Sequence, residues 1–115
     1  MIKEFIADED ILLRRVPISP SYIKPDNTIT SLSFKPSSRD KDGLSVEVER
    51  LTTHERAVVD TAKYRLVGIS TEIPRSLGLD CIHDPLVDNL AHALITGNIT
   101  RGLSRKLARS AKWII

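Results

Sequence analysis

In LSVEVERL, residues 44 to 51, Leu44, Val46 and Val48 alternate with Ser45, Glu47 and Glu49. A period of two puts the first set on one side of an extended chain, so this run predicts a strand over 44–50 with one buried and one wet face. ILLRRV at 11–16 is apolar and β-branched enough for a second strand, ended by Pro17 and Pro20. In TITSLSF, Ile29, Ser31 and Ser33 alternate with Thr30, Leu32 and Phe34, which predicts a strand over 29–34 with Leu32 and Phe34 toward the core. LVGIS at 66–70, the stretch 79–82 and the stretch 91–96 complete the expected strands.

Helical signals fall between them. Thr52 and Glu55 are spaced as a capping box for a helix over about 53–63. Thr71, ahead of Glu72, Ile73 and Pro74, reads as a cap for a turn or two of helix that Gly78 closes. Thr100 can cap RGLSRKLARSAKW, a helix over 101–113 with Leu103, Leu107, Ala111 and Ile114 on one side. Pro25-Asp26-Asn27, Asp42-Gly43 and Gly97-Asn98 supply turn chemistry, and KPSSRDKDG, 35–43, reads as a polar loop. A chain of 115 residues is too short to bury two adequate cores. The expected architecture is therefore one α+β domain over 1–115, a mostly antiparallel mixed sheet covered by the helices at 53–63 and 101–113.

Composition narrows the function classes. Two Phe, two Tyr and one Trp are few platforms for base stacking, so a single-strand reader of the stacking type is disfavoured. The single cysteine, Cys81, has no disulfide partner in the chain, and no apolar run approaches the roughly 20 residues of a membrane span. MIKEFIADEDILL carries acids where a secretory signal needs basic residues. A cytoplasmic setting without membrane contact is expected. Neither a Walker loop nor a dinucleotide fingerprint occurs among the five dispersed glycines, so no cofactor is expected.

Net charge is only +2, but its distribution is lopsided: no acid follows Asp88, whereas Arg101, Arg105, Lys106, Arg109 and Lys112 do. On a helix, Arg101, Arg105, Arg109 and Lys112 fall within a sector of about 80°, opposite the leucine side. A solvated basic face is the commonest fate of such a pattern, yet a helix built for stability alone would carry acids near its start and Glu-to-Lys pairs four apart. This ridge is a candidate binding surface for nucleic-acid backbone or for an acidic protein partner.

IHDPLVDNLAHALITGN, 82–98, gathers His83, Asp84, Asp88, Asn89 and His92. With Cys81 these are metal-ligand types, but the spacing matches no standard site and no metal is expected. For catalysis, imidazole is the side chain suited to proton transfer at neutral pH, and His92 is a candidate general base oriented by Asp84 or Asp88. No G-x-S-x-G elbow is present, and Cys81 in LDCIH reads as inert packing. Ser45 and Ser31, on expected strands near Arg14, would complete an Arg-Ser-His pocket for a nucleotide phosphate if the fold carried them to His92. His83 and Asp84 are further candidates; His54, in a helix first turn, is expected to be exposed.

LLRRVP, TSLSFKP-SSRDKDGLSV, SLGLDCIHDP and AHALITG, taken in order, resemble a family of small uncharacterised bacterial proteins. Its members read LLRR-V-P, a serine followed by F-x-P, LSV, LGL, DP and HA-x-I. The resemblance spans nearly the whole chain and implies bacterial origin and a self-contained fold, with no catalytic assignment. Where this chain has Asn89-Leu90-Ala91-His92, relatives often place proline before the small residue and histidine. The leading functional expectation is a non-enzymatic binding or accessory protein acting through its basic C-terminal helix. The alternative is a small enzyme for a nucleotide or phosphate-bearing substrate, centred on His92.

Overall fold

The run with the cleanest alternation lies inside the sheet rather than at its edge. In a computed structural model describing residues 2–38, 40 and 42–115, the strands are β1 (Ile11–Pro17), β2 (Leu44–Val48), β3 (Tyr64–Ser70), β4 (Asp80–His83), β5 (His92–Thr96) and β6 (Lys112–Trp113). They form one sheet of order β4-β5-β2-β1-β3-β6, and every ladder is antiparallel. With α1 (His54–Val58), α2 (Glu72–Ser76) and α3 (Arg101–Ser110), this is a single α+β domain.

The two sheet faces are covered unequally. Leu12, Val16, Val46, Val48, Val67, Ile69, Ala93 and Ile95 bury one face against Phe34, Leu107 and Ala108, which makes the main core. On the other face a smaller cluster of Leu13 and Leu66 meets only Ala57 and Val58 of α1, with Ile11, Tyr64 and Ile114 at its edge. A five-residue helix cannot cover six strands, so Ser45, Glu47, His92 and Leu94 lie on a face that is largely free of helices. Gly43 enters β2 at φ +146, where a Cβ would stand 2.8 Å from the carbonyl oxygen of Ile95; only glycine lets β2 approach β5 this closely.

Five expectations change. The expected strand over 29–34 is instead a 3₁₀ turn, Ser31–Phe34, preceded by an isolated Ile23↔Ile29 bridge. This segment joins no ladder of the six-stranded sheet and closes its own hydrogen bonds locally, Ser33 N–H to Thr30 O and Lys35 N–H to Leu32 O. Leu32 then turns outward while Ser33 and Phe34 are buried.

The helix expected over 53–63 stops at Val58, because Val59 takes φ 68 and the Asp60 carboxylate accepts from Ala62 N–H in a local turn. Its cap is Thr53, not Thr52: Thr53 Oγ1 accepts from Arg56 N–H at 3.2 Å. Thr71 is not a cap either; its buried hydroxyl donates to Asp10 O at 2.7 Å, while Gly78 at φ +84 does end α2.

Finally, the helix expected over 101–113 ends at Ser110. Lys112 and Trp113 pair with Gly68 and Val67 as an edge strand, and Ile114 packs on the opposite face from Leu107. The Thr100 cap is present, its Oγ1 accepting from Leu103 N–H. In the 35–43 loop, Arg39 and Lys41 lie outside the described residues, as does Met1.

Candidate functional site

The site begins with a gap in the sheet. β1 pairs with β3 along its full length but with β2 only at Leu12↔Val48 and Leu13↔Glu47. Past that point the strands part, and the Arg14 guanidinium fills the opening: Nη1 donates to Ser45 O at 2.7 Å and Nε to Ser33 O at 2.9 Å. Two carbonyls that would otherwise face the gap unpaired are thereby satisfied. The arrangement leaves a cation largely out of water. Burial pushes the Arg14 pKa below its ordinary value, with the charge of Asp40 opposing that shift. Among the described residues no carboxylate lies within 4.0 Å of Arg14.

Ser45 and His92 are brought together by register. Glu47 pairs with His92 and Ser45 with Leu94, so Ser45 and His92 are diagonal neighbours on one face of adjacent strands. The 84–91 loop then folds back, Asp84 N–H donating to His92 O and Leu86 bridging Asn89, which returns Asp84 to the imidazole. His92 Nδ1 lies 3.0 Å from Asp84 O and 3.1 Å from Asp84 Oδ2. Both are acceptors, which assigns the proton to Nδ1 and leaves a lone pair on Nε2, 3.2 Å from Ser45 Oγ. A carboxylate, an imidazole in a fixed tautomer and a hydroxyl thus stand in the order that activates a nucleophile.

Arg14, Tyr22, Ser33, Lys35, Ser45 and His92 line one cleft of about 380 Å³. Ser33 is 1% exposed, and its hydroxyl has no hydrogen-bond partner among the described residues. An unpaired buried hydroxyl and a desolvated guanidinium both cost folding energy, on the order of 1–3 kcal/mol for the hydroxyl alone. An anionic ligand accepting from both would offset that cost. Glu47, also in the cleft, is held by Arg15 at 3.1 Å, and Arg15 shares the same nitrogen with Ala57 O.

Five sequence segments converge here. LLRRVP supplies Arg14, SFKP supplies Ser33, LSV supplies Ser45, HDP supplies Asp84 and HALI supplies His92. Protein-family models, curated proteins and solved structures give no match to this chain.

His83 and Cys81 do not join the site. They share a face with Ala93 and Ile95, opposite His92. His83 is buried, with Nδ1 accepting from Glu4 N–H at 2.8 Å and Nε2 donating to Leu90 O at 2.7 Å, so both nitrogens serve to tie the N-terminal segment to the 84–91 loop. Burial raises the Cys81 thiol to about 12, which makes it inert packing. Asp88 is exposed and does not orient His92; Ser31 lines a neighbouring groove instead of the cleft. Among the described residues no three His, Cys, Asp or Glu side chains gather to hold a metal. His54 is exposed, with Nε2 2.9 Å from Glu49 Oε2.

The basic side chains of the C-terminal region form a separate surface. Arg101, Arg105, Lys106, Arg109 and Lys112 are all exposed, and none is within 4.0 Å of a described carboxylate. Lys112 belongs to β6, so three of the four expected sector members lie on α3 itself. Ser33 and the partner side chains Lys24 and Lys35 were not legible as site residues. Ser33 sat on the outward side of the expected strand, and isolated lysines in polar loops carry no signal.

Proposed function

We propose that the protein is a small enzyme acting on phosphate esters, nucleotides among them, with Ser45 as nucleophile and His92 as general base. The observation that carries the reading is the Asp84–His92–Ser45 line opening on a cleft that also holds the half-buried Arg14, which among the described residues has no carboxylate within 4.0 Å. Arg14 and Lys35 supply the positive charge for the phosphoryl oxygens, with Ser33 Oγ as an additional donor. His92 Nε2 takes the Ser45 proton as Oγ attacks phosphorus. The P–O bond to the leaving alcohol breaks, and that alcohol receives the proton from Nε2. Water, deprotonated by the same nitrogen, then attacks phosphorus, the P–Oγ bond to Ser45 breaks, Oγ takes the proton back from Nε2, and phosphate leaves. Asp84 holds the Nδ1–H tautomer and stabilises the imidazolium formed in each step.

We infer a bacterial cytoplasmic setting: the resemblance points to bacteria, and one cysteine, buried and without a disulfide partner, suits a reducing compartment. No helix among the described residues is long and apolar enough to cross a membrane.

The test is turnover of p-nitrophenyl phosphate, its bis-ester and a set of nucleotides including NAD, measured for the wild-type chain, Ser45→Ala and His92→Ala. Wild type is expected to turn over at least one ester, and each variant to lose about 10²–10⁴-fold. Absence of turnover across the panel, or turnover that survives His92→Ala, sinks the assignment.

A further inference from the structure

On the far side of the Ser31–Phe34 turn, a groove of about 830 Å³ runs between α3 and the turn at 24–31. Lys24 stands on one wall, Arg105 and Arg109 on the other, and Lys112 closes the end. No carboxylate lines it. Among the described residues the folded chain gives these cations no ion pair within 4.0 Å; Asp26 acts on Lys24 only from farther off, and Arg105, Arg109 and Lys112 have no such neighbour.

We propose that this groove binds the sugar-phosphate backbone of a single nucleic-acid strand, independently of the His92 cleft. Concavity with cations on both walls suits a strand lying along the groove. Arg105 and Arg109 are about one helical turn apart, about 6 Å along the axis, so both present their guanidinium groups along the groove where successive phosphates of one strand can meet them.

An acidic protein partner is the competing occupant, and the apolar inventory weighs against it. Protein interfaces centre on large apolar or aromatic anchors. None of the exposed large hydrophobics lies on α3 or lines the groove; they are at Ile2, Phe5, Val59, Ile82, Val87, Leu90 and a few other places away from it. The Trp113 ring is not free to stack on a base. Arg65 covers it at 3.7 Å, and its indole N–H donates to Asn27 O. Binding is therefore directed at backbone and insensitive to sequence.

The measurement is fluorescence anisotropy of a labelled oligothymidylate and a labelled oligouridylate over a sodium chloride series. Four phosphate contacts are expected to give a slope of log K against log salt of about −3. The double variant Arg105→Glu/Arg109→Glu, whose replaced side chains hold nothing else in the fold, is expected to lose binding by at least about 100-fold with an unchanged thermal midpoint. His92→Ala is expected to bind as wild type does. Retained affinity in the double variant, a flat salt dependence, or tighter binding of poly-glutamate than of an oligonucleotide of equal charge overturns the proposal. Each of those outcomes leaves ester turnover at His92 to be judged by its own assay.

Discussion

His92 Nε2 lies 3.2 Å from Ser45 Oγ, two side chains 47 positions apart that meet because β2 and β5 pair with Glu47 opposite His92. The imidazole's other nitrogen contacts Asp84 through both a carbonyl and a carboxylate oxygen. Replacing that carboxylate with an amide offers Nδ1 an N–H as well as an oxygen, and so lets the ring take the other tautomer, with its proton on Nε2 facing Ser45. Asp84→Asn is therefore expected to lower kcat for ester turnover by about 10²–10⁴-fold while leaving KM within a few-fold of wild type. Steady-state kinetics on the best substrate of the panel decide this; an unchanged kcat removes Asp84 from the mechanism.

Arg14 bridges the carbonyls of Ser33 and Ser45 and, among the described residues, has no carboxylate within 4.0 Å, Asp40 acting on it only from farther off, so a bound phosphate should supply the close counter-charge. Ligand linkage then makes inorganic phosphate stabilise the wild-type chain by about 2.7 kcal/mol at a hundred times its Kd. Arg14→Met is expected to melt at a lower temperature and to gain nothing from phosphate. Thermal melts with and without phosphate read both effects, and an equal phosphate shift in the variant contradicts the assignment of Arg14 to anion binding.

Elements whose burial is one-sided were readable in the sequence. Leu44, Val46 and the Thr100 cap behave as the local pattern dictates, because period two and a capping hydroxyl are properties of a few consecutive residues. Thr30 to Phe34 misled because the same alternation serves a 3₁₀ turn, and what holds the turn in place, Arg14 on Ser33 O and Ser104 on Phe34 O, is tertiary. Ala111 and Ile114 continue the helical spacing of Leu107, yet Ile114 N–H pairs with Leu66 O, a contact no local pattern contains. The site divides in the same way. His92, Asp84, Ser45 and Arg14 were visible as chemistry, but the β2–β5 register that joins them and the β1–β2 gap that admits Arg14 are tertiary facts. The two histidines illustrate it: they fall on opposite faces because the intervening loop sets His83 of β4 in register with Ala93 of β5, so His92, the neighbouring residue on β5, points the other way.

His83 has a structural task that His92 does not. Its ring is 4% exposed and accepts Glu4 N–H while donating to Leu90 O. His83→Ala leaves both backbone groups without that partner and opens a cavity, which should cost about 2–4 kcal/mol and lower the midpoint by on the order of 10 °C. His92→Ala, at a half-buried position, should cost well under half of that. Urea denaturation of the two variants side by side gives the comparison; equal losses would mean that His83 is not the tie described.

Asp80 gives a pH dependence whose sign can be worked out. Its carboxylate accepts from Cys81 N–H and from Arg75, which hold its pKa below the ordinary carboxylate value in the folded state. As pH falls from about 4 the unfolded chain takes up the proton first, so the stabilisation present above that value is lost as pH drops through the lower folded pKa. Asp80→Asn does not titrate. It should be less stable than wild type at neutral pH and approach it near pH 2–3, as measured by denaturant midpoints across that range; a constant difference at all pH values rejects the linkage.

Cys81 is buried on the main-core face of β4, and burial lifts its thiol to about 12. Near pH 8 the thiolate fraction is then about 10⁻⁴, against more than a tenth for a free cysteine of pKa ~8.5, so nucleophilic attack is suppressed before access is considered. Disulfide reagents such as dithionitrobenzoate should label the folded chain at least about 10³-fold more slowly than a model thiol, and at the model rate once urea unfolds it. If the folded protein instead labels at the model rate, the thiol is reachable and ionised, and β4 does not seal it into the core as described.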